Sequence, residues 1–122
     1  MTLQELYKTI DGDYEQAMKV LRMDKLLDKH IRKLLTNGVV ENLIAAGNKM
    51  DPGELFETAH AVKGVCANLG LLKLSEAASD IANEYRPGAV RKYSDEDVRA
   101  KLDEIEGLYR KTADGIRLYE NS

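Results

Sequence analysis

Apolar residues recur at spacings of three and four along almost the whole chain, and this period constrains the fold more than any other feature. Such spacing places side chains on one face of an α-helix. In the clearest run, near the C-terminus, the apolar face comprises Val98, Leu102, Ile105, Tyr109, Thr112, Ile116 and Tyr119. No segment sustains the alternation of two that marks a strand with one buried face. The pattern therefore predicts an all-α protein without a sheet.

Capping residues and helix-breaking residues divide this pattern into seven predicted helices. The third is expected to begin near Asp24. The expected N-terminal caps are Thr2 with Glu5, Asp13 with Gln16, Asp51 with Glu54, and Ser94. The expected ends lie at Asp11-Gly12, Asn37-Gly38, Gly47-Asn48, Leu69-Gly70 and Arg86-Pro87-Gly88. The sixth helix, about residues 73–86, is expected to bury Leu74, Ala77, Ala78, Ile81 and Tyr85.

Helices of this kind, joined by short turns, favour one architecture. They predict an antiparallel up-and-down four-helix bundle, with the short N-terminal helices packed across one end as a cap. A chain of 122 residues has the usual size of one domain with a single core. We therefore expect one domain over residues 1–122.

Charge and cysteine content narrow the possible partners. The net charge is −3 and the chain has no basic tail, which argues against nucleic acid, because phosphate binding needs clustered Lys and Arg. The single cysteine, Cys66, excludes an internal disulfide and suggests a reducing compartment. The N-terminus lacks the apolar region of a signal peptide, and no apolar run has the length of a membrane span. These features predict a cytoplasmic protein without a nucleic-acid or membrane partner.

The helix expected between Asp51 and Leu69 carries one histidine outside its apolar face. That face comprises Leu55, Ala59, Val62, Cys66 and Leu69. On a helical wheel His60 points roughly 140° away from Leu55. It should therefore project from the flank of the bundle into solvent.

The neighbours of His60 on this flank suggest a use for the exposed imidazole. Lys63 lies three residues on, Gly64 four and Ala67 seven, so the surface beside the ring is nearly bare. A glycine in the middle of a helix lowers stability by about 1 kcal/mol relative to alanine. We expect that its function here is to let another molecule approach closely. An exposed imidazole is a competent nucleophile near pH 7, and Lys63 provides a cation where an anion would sit. These residues make a phosphoryl acceptor a sensible hypothesis.

The run Ala59-His60-Ala61-Val62-Lys63-Gly64 continues through Ala67-Asn68-Leu69-Gly70 to Leu74. It resembles the signature of histidine phosphotransfer (HPt) domains, in which a histidine is followed by Lys and Gly at three and four residues, then by a helix-ending Gly and a second amphipathic helix. The close match covers about residues 55–85, and the helical layout on both sides is compatible with the family.

The resemblance implies a four-helix bundle that carries phosphate in a two-component phosphorelay. His60 would be the phosphoacceptor, Lys63 would steady the phosphoryl oxygens, and Gly64 would leave room for a partner. The docking surface would include Phe56, Gly64, Ala67 and Asn68. The partners would be response-regulator receiver domains, a hybrid histidine kinase, or both, and the receiver would supply the Mg²⁺, so the chain needs no cofactor of its own. We expect a carrier rather than an enzyme, since no nucleotide-binding motif occurs. We also expect a monomer, because receivers would need the flank of His60 free.

One position departs from the family pattern. Some members place a polar side chain on the following helix to hydrogen-bond the histidine. The residue aligned there is Ala82, and the adjacent Asn83 should point about 100° away. Asn68 or a water molecule could fill this role, or His60 could lack such a partner. The sequence does not distinguish these alternatives.

Other interpretations of these residues compete with this one. The second histidine, His30, is expected at the edge of an apolar stripe with one nitrogen hydrogen-bonded. The pair Glu57 and His60 has a metal-ligand spacing but faces outward without a second pair. Cys66 is expected to be a small buried apolar side chain. The main alternative function is a helical adaptor that binds a receiver domain without accepting phosphate.

Overall fold

The computed structural model describes residues 1–122 and contains helices and no strand. The prediction of an all-α protein is therefore confirmed. The seven helices are α1 (Leu3–Thr9), α2 (Tyr14–Leu21), α3 (Asp24–Lys33), α4 (Val39–Lys49), α5 (Pro52–Asn68), α6 (Leu72–Glu84) and α7 (Asp95–Glu120).

The predicted starts of α1, α2, α5 and α7 are confirmed by side-chain hydrogen bonds at their caps. Thr2 and Ser94 form complete capping boxes at α1 and α7. Asp13 accepts a hydrogen bond from the amide of Gln16, and Asp51 accepts one from the amide of Glu54. These side chains satisfy amide groups that the first turn of a helix leaves without a partner.

Helix α4 ends at Lys49, one residue beyond the predicted end around Gly47-Asn48, and Met50 takes the left-handed conformation with φ 55°. Gly47 is not the residue that ends it. Gly47 is buried inside the helix, where an added Cβ would press on the side chain of Leu102 in α7. The glycine therefore serves close packing between α4 and α7 rather than helix termination.

Four helices form the bundle, because α4, α5, α6 and α7 each contact the next and α7 returns to α4. The shorter helices pack on this ring: α1 and α3 contact α7, while α2 contacts α5. One apolar core takes buried side chains from all seven helices. Helix α5, which carries His60, is thus held between α4 and α6.

The turn between α5 and α6 is held by the N-terminal segment. The hydroxyl of Tyr7 donates to the carbonyl of Leu69 at 2.7 Å, and the amide of Asp13 donates to the carbonyl of Gly70 at 2.8 Å. Gly70 has φ +69°, and an added Cβ would overlap the carbonyl oxygen of Asp13. The turn therefore requires glycine both for its backbone conformation and for this contact.

The other end of α6 is fixed by a buried carboxylate. Glu84 is 4% exposed and accepts hydrogen bonds from the Arg91 side chain and from the amides of Lys92 and Tyr93. Desolvation alone would raise the pKa of this carboxyl, but the hydrogen bonds outweigh it and hold the pKa below its ordinary value. The loop between α6 and α7 is therefore tied to the end of α6.

The prediction for α6 needs two corrections. The helix ends at Glu84 rather than near Arg86, because the loop folds back at once onto the Glu84 carboxylate. Ala77 is half-buried rather than buried, since it lies toward the groove between α6 and α7.

Replacement of Gly70 by alanine should destabilise the fold far more than replacement of Gly88. Both glycines have positive φ, 69° and 84°, but a Cβ at Gly88 would meet no atom within 4 Å. We expect Gly88→Ala to lower the free energy of unfolding by about 1–2 kcal/mol. Gly70→Ala should lower it by about 2–5 kcal/mol, because the added Cβ also overlaps the Asp13 carbonyl oxygen and forces the structure to shift. Urea denaturation of both variants measures the difference. Equal losses would contradict the role given to the contact with Asp13.

Candidate functional site

Helix α5 divides into a buried face and an exposed flank, as predicted. Its buried residues are Leu55, Ala59, Val62 and Cys66. His60 is exposed and lies midway along the helix between Pro52 and Asn68. A nucleophilic side chain is thereby presented to solvent on a rigid element.

The imidazole of His60 is supported by an aromatic ring and by no hydrogen bond. The rings of Phe56 and His60 stack with centroids 5.8 Å apart and planes 25° from parallel. No donor or acceptor in the protein bonds either ring nitrogen. Both nitrogens are therefore free of protein partners.

Helix α6 lies close against α5 at this point through small residues. Ser75, Ala78 and Ala82 are all buried, and the hydroxyl of Ser75 donates to the backbone carbonyl of Lys63 at 3.0 Å. Ala82, the position aligned with the polar residue of some HPt domains, is 2% exposed. It has no polar side chain to offer, so α6 contributes packing here and no hydrogen bond to His60.

Lys63 and Gly64 stand on the C-terminal side of His60. Lys63 is half-buried, and its ammonium group forms no salt bridge in the structure. Gly64 is exposed, and an added Cβ would meet no atom within 4 Å. A free cation and an open surface therefore lie within one helical turn of the imidazole.

The residues predicted for docking occupy the same helix but differ in exposure. Phe56 and Ala67 are half-buried, while Gly64 and Asn68 are exposed. Asn68 lies eight residues beyond His60, a rise of about 12 Å, so its amide cannot hydrogen-bond the imidazole. The hypothesis that Asn68 fills that role is therefore wrong.

Two contacts of the site are absent from the sequence-based prediction. The sequence indicates that Phe56 and His60 are neighbours, because residues at i and i+4 lie side by side on a helix. That signal places Phe56 on the flank without specifying contact between the rings. The hydrogen bond from Ser75 to the Lys63 carbonyl has no signal, because it joins two helices whose relative rotation the sequence does not state.

The remaining residues singled out in the sequence lie away from this flank or inside the core. His30 is half-buried on α3, as expected, but forms no hydrogen bond with the protein. Cys66 is fully buried, and burial raises the pKa of its thiol to about 12, as expected of an apolar side chain. No group of three or more His, Cys, Asp or Glu residues is placed to hold a metal ion.

Comparison with known families shows which family the chain belongs to. The sequence model of the Hpt domain family matches residues 15–114, which include the whole of α5 and α6. The chain therefore belongs to the Hpt domain family. Comparisons with curated proteins and with solved structures gave no match.

Membership of this family defines the general role of the chain. Hpt domains are phosphocarrier modules of two-component signalling rather than catalytic enzymes, and they interact with receiver domains and kinases. The chain thus has a phosphotransfer role in two-component signalling. None of its helices combines the length and the hydropathy needed to cross a membrane.

The glycines inside the helices show how packing and access are separated in this protein. Gly47 and Gly115 are buried, and added Cβ atoms there would press on Leu102 and Ile10. Gly64 faces solvent and meets nothing. Close packing explains the first two glycines through the fold alone. Gly64 and Gly107 have no such explanation. Gly64, unlike Gly107, lies one helical turn from His60, where a bare surface is consistent with a partner that approaches closely.

Gly64 should make the fold less stable than alanine would at this position, because its backbone is more flexible when unfolded and no close contact requires a glycine there. We expect Gly64→Ala to raise the free energy of unfolding by about 0.5–1 kcal/mol, measured by urea denaturation. Gly107 is a matched control, because it is also an exposed glycine inside a helix with no atom within 4 Å of an added Cβ. Gly107→Ala should give a similar gain. A loss of stability in Gly64→Ala alone would show that the open surface has a structural role.

Proposed function

We propose that this chain relays a phosphoryl group between the aspartates of receiver domains, with His60 as the phosphoacceptor. The observation that carries the proposal is the state of His60, which is exposed at the middle of α5 with no hydrogen bond to the protein. An exposed imidazole without a protein partner can react with a group brought from solvent, and His60 holds the position of the histidine in the HPt signature. The alternative of an adaptor that binds a receiver without accepting phosphate is tested by the same experiment.

The reaction requires one free ring nitrogen of His60. In the proposed step Nε2 attacks the phosphorus of an aspartyl phosphate in line. The new P–N bond forms as the acyl P–O bond breaks, and the receiver's aspartate leaves as a carboxylate. The reverse step transfers the group to another aspartate. Positioning and cations dominate the catalysis of such transfers, and in our proposal the receiver supplies the Mg²⁺ that neutralises phosphoryl charge.

Lys63 and the open flank define what this chain adds. The unpaired ammonium of Lys63, one turn from His60, is suited to the equatorial oxygens of the transferring group. The receiver would approach over Gly64 and dock on Ala67 and Asn68, while Phe56 is half-buried and stacked on His60. A monomer in the cytoplasm keeps this flank available to both a hybrid kinase and a response regulator.

A transfer assay with the two histidine variants tests the proposal. A receiver domain is labelled on its aspartate with radioactive acetyl phosphate and Mg²⁺, purified, and mixed with the wild type, His60→Gln or His30→Gln. We expect alkali-stable, acid-labile label on the wild type and on His30→Gln, and none on His60→Gln. His30 is the matched control because it is the one other histidine. Receiver binding without any label on the wild type would favour the adaptor.

Neutralisation of Lys63 should slow transfer without preventing it. We expect Lys63→Gln to lower the transfer rate at saturating receiver about 10-fold, because one charge-assisted hydrogen bond to the phosphoryl group is lost. Rapid-quench measurement of labelled protein gives this rate. Lys33→Gln is the control, because Lys33 is an exposed lysine without a salt bridge on α3. An equal effect of both substitutions would indicate a general charge effect instead.

A further inference from the structure

The imidazole of His60 has one aromatic partner and no hydrogen bond to the protein. Phe56 stacks on one face of the imidazole, with the ring centroids 5.8 Å apart. No hydrogen bond fixes the ring, Ala82 on α6 offers only a methyl group, and the surface at Gly64 is empty. If Phe56 were removed, neither a ring stack nor a hydrogen bond would select one orientation of His60.

Phe56 is itself well placed to act as a support. It is half-buried and packs against the apolar core. The core therefore supports the Phe56 ring on one side, while His60 stacks on it. Side chains on a helix lean toward the N-terminus, so His60 leans onto the residue one turn earlier, at a rise of about 6 Å. The observed ring separation and the small interplanar angle match an offset stack.

We propose that Phe56 is a positioning residue for His60, which it holds in the orientation needed for phosphoryl transfer. This inference rests on the proposed function. A ring stack fixes the plane of the imidazole without contacting either nitrogen. One nitrogen is thus free to accept the phosphoryl group, and the other is free to keep or release its proton. A hydrogen bond from a neighbouring side chain to either nitrogen would restrict this exchange.

The size of the effect follows from the number of orientations that the stack excludes. An unsupported histidine on a helix has two common χ1 rotamers and about two χ2 orientations, so roughly four orientations in total. If one is competent, loss of the stack lowers its population by up to about fourfold. The rate of transfer within the bound complex should fall by the same factor.

Positioning and docking predict different kinetic changes, which distinguishes them for Phe56. A positioning role lowers the first-order transfer rate at saturating receiver and leaves the receiver Kd unchanged. A docking role raises the Kd and leaves that rate unchanged. A loss of fold stability alone would change neither for the folded molecules.

The kinetic test compares Phe56→Ala and Phe56→Tyr with the wild type. We expect Phe56→Ala to lower the saturated rate about two- to fourfold with the same Kd, and Phe56→Tyr, which keeps the ring, to restore it. Val65→Ala is the matched control, because Val65 is another half-buried side chain of α5 packed against the core. A raised Kd with an unchanged rate in Phe56→Ala overturns the proposal in favour of docking.

An NMR measurement tests the orientation directly and needs no partner. The couplings between the α and β protons of His60 report its χ1 rotamers. We expect one dominant rotamer in the wild type and in Phe56→Tyr, and averaged couplings in Phe56→Ala. Unchanged couplings in Phe56→Ala overturn the positioning role. Failure of the wild type to accept label from any receiver would instead overturn the proposed function, and the NMR result would still decide whether the stack orients the ring.

Discussion

The turn at Leu69 and Gly70 is the constraint on which the arrangement of this protein depends. It reverses the chain so that α6 lies along α5, and its two carbonyl groups receive hydrogen bonds from Tyr7 and from the amide of Asp13. Because these donors lie far back in the chain, the N-terminal helices cannot pack correctly unless the turn is formed. Glycine is the one residue type that permits both the positive φ at position 70 and the contact with the Asp13 carbonyl.

The close packing that follows from this turn explains the chemistry of the exposed flank. Small residues on α6 let its backbone approach α5, and the hydroxyl of Ser75 ties the two helices at the Lys63 carbonyl. The same small residues leave no long polar side chain at the level of His60. The imidazole is therefore presented on a rigid helix without a hydrogen bond from α6, and its aromatic partner, Phe56, lies on its own helix.

The helices, most of their boundaries and the exposure of His60 could be predicted from the amino-acid sequence. These features are local: caps act within one turn, and the angle between His60 and the apolar face follows from the helical period. For the same reason the helical period alone assigns Lys63 and Gly64 to the flank of His60. Where a local signal has two meanings, as at Gly47, the sequence offers no means of choosing between a helix end and a close contact.

Which helices meet, and which side chains lie between them, could not be predicted from the sequence and is seen in the folded chain. The contacts of Gly47 with Leu102, of Ser75 with the Lys63 carbonyl and of Glu84 with the loop after α6 all depend on the distance and rotation between separate elements. Those quantities arise from the packing of the whole core, in which each helix adjusts to all its neighbours. A one-dimensional period fixes the face that a helix buries, but it does not fix the partner that covers that face.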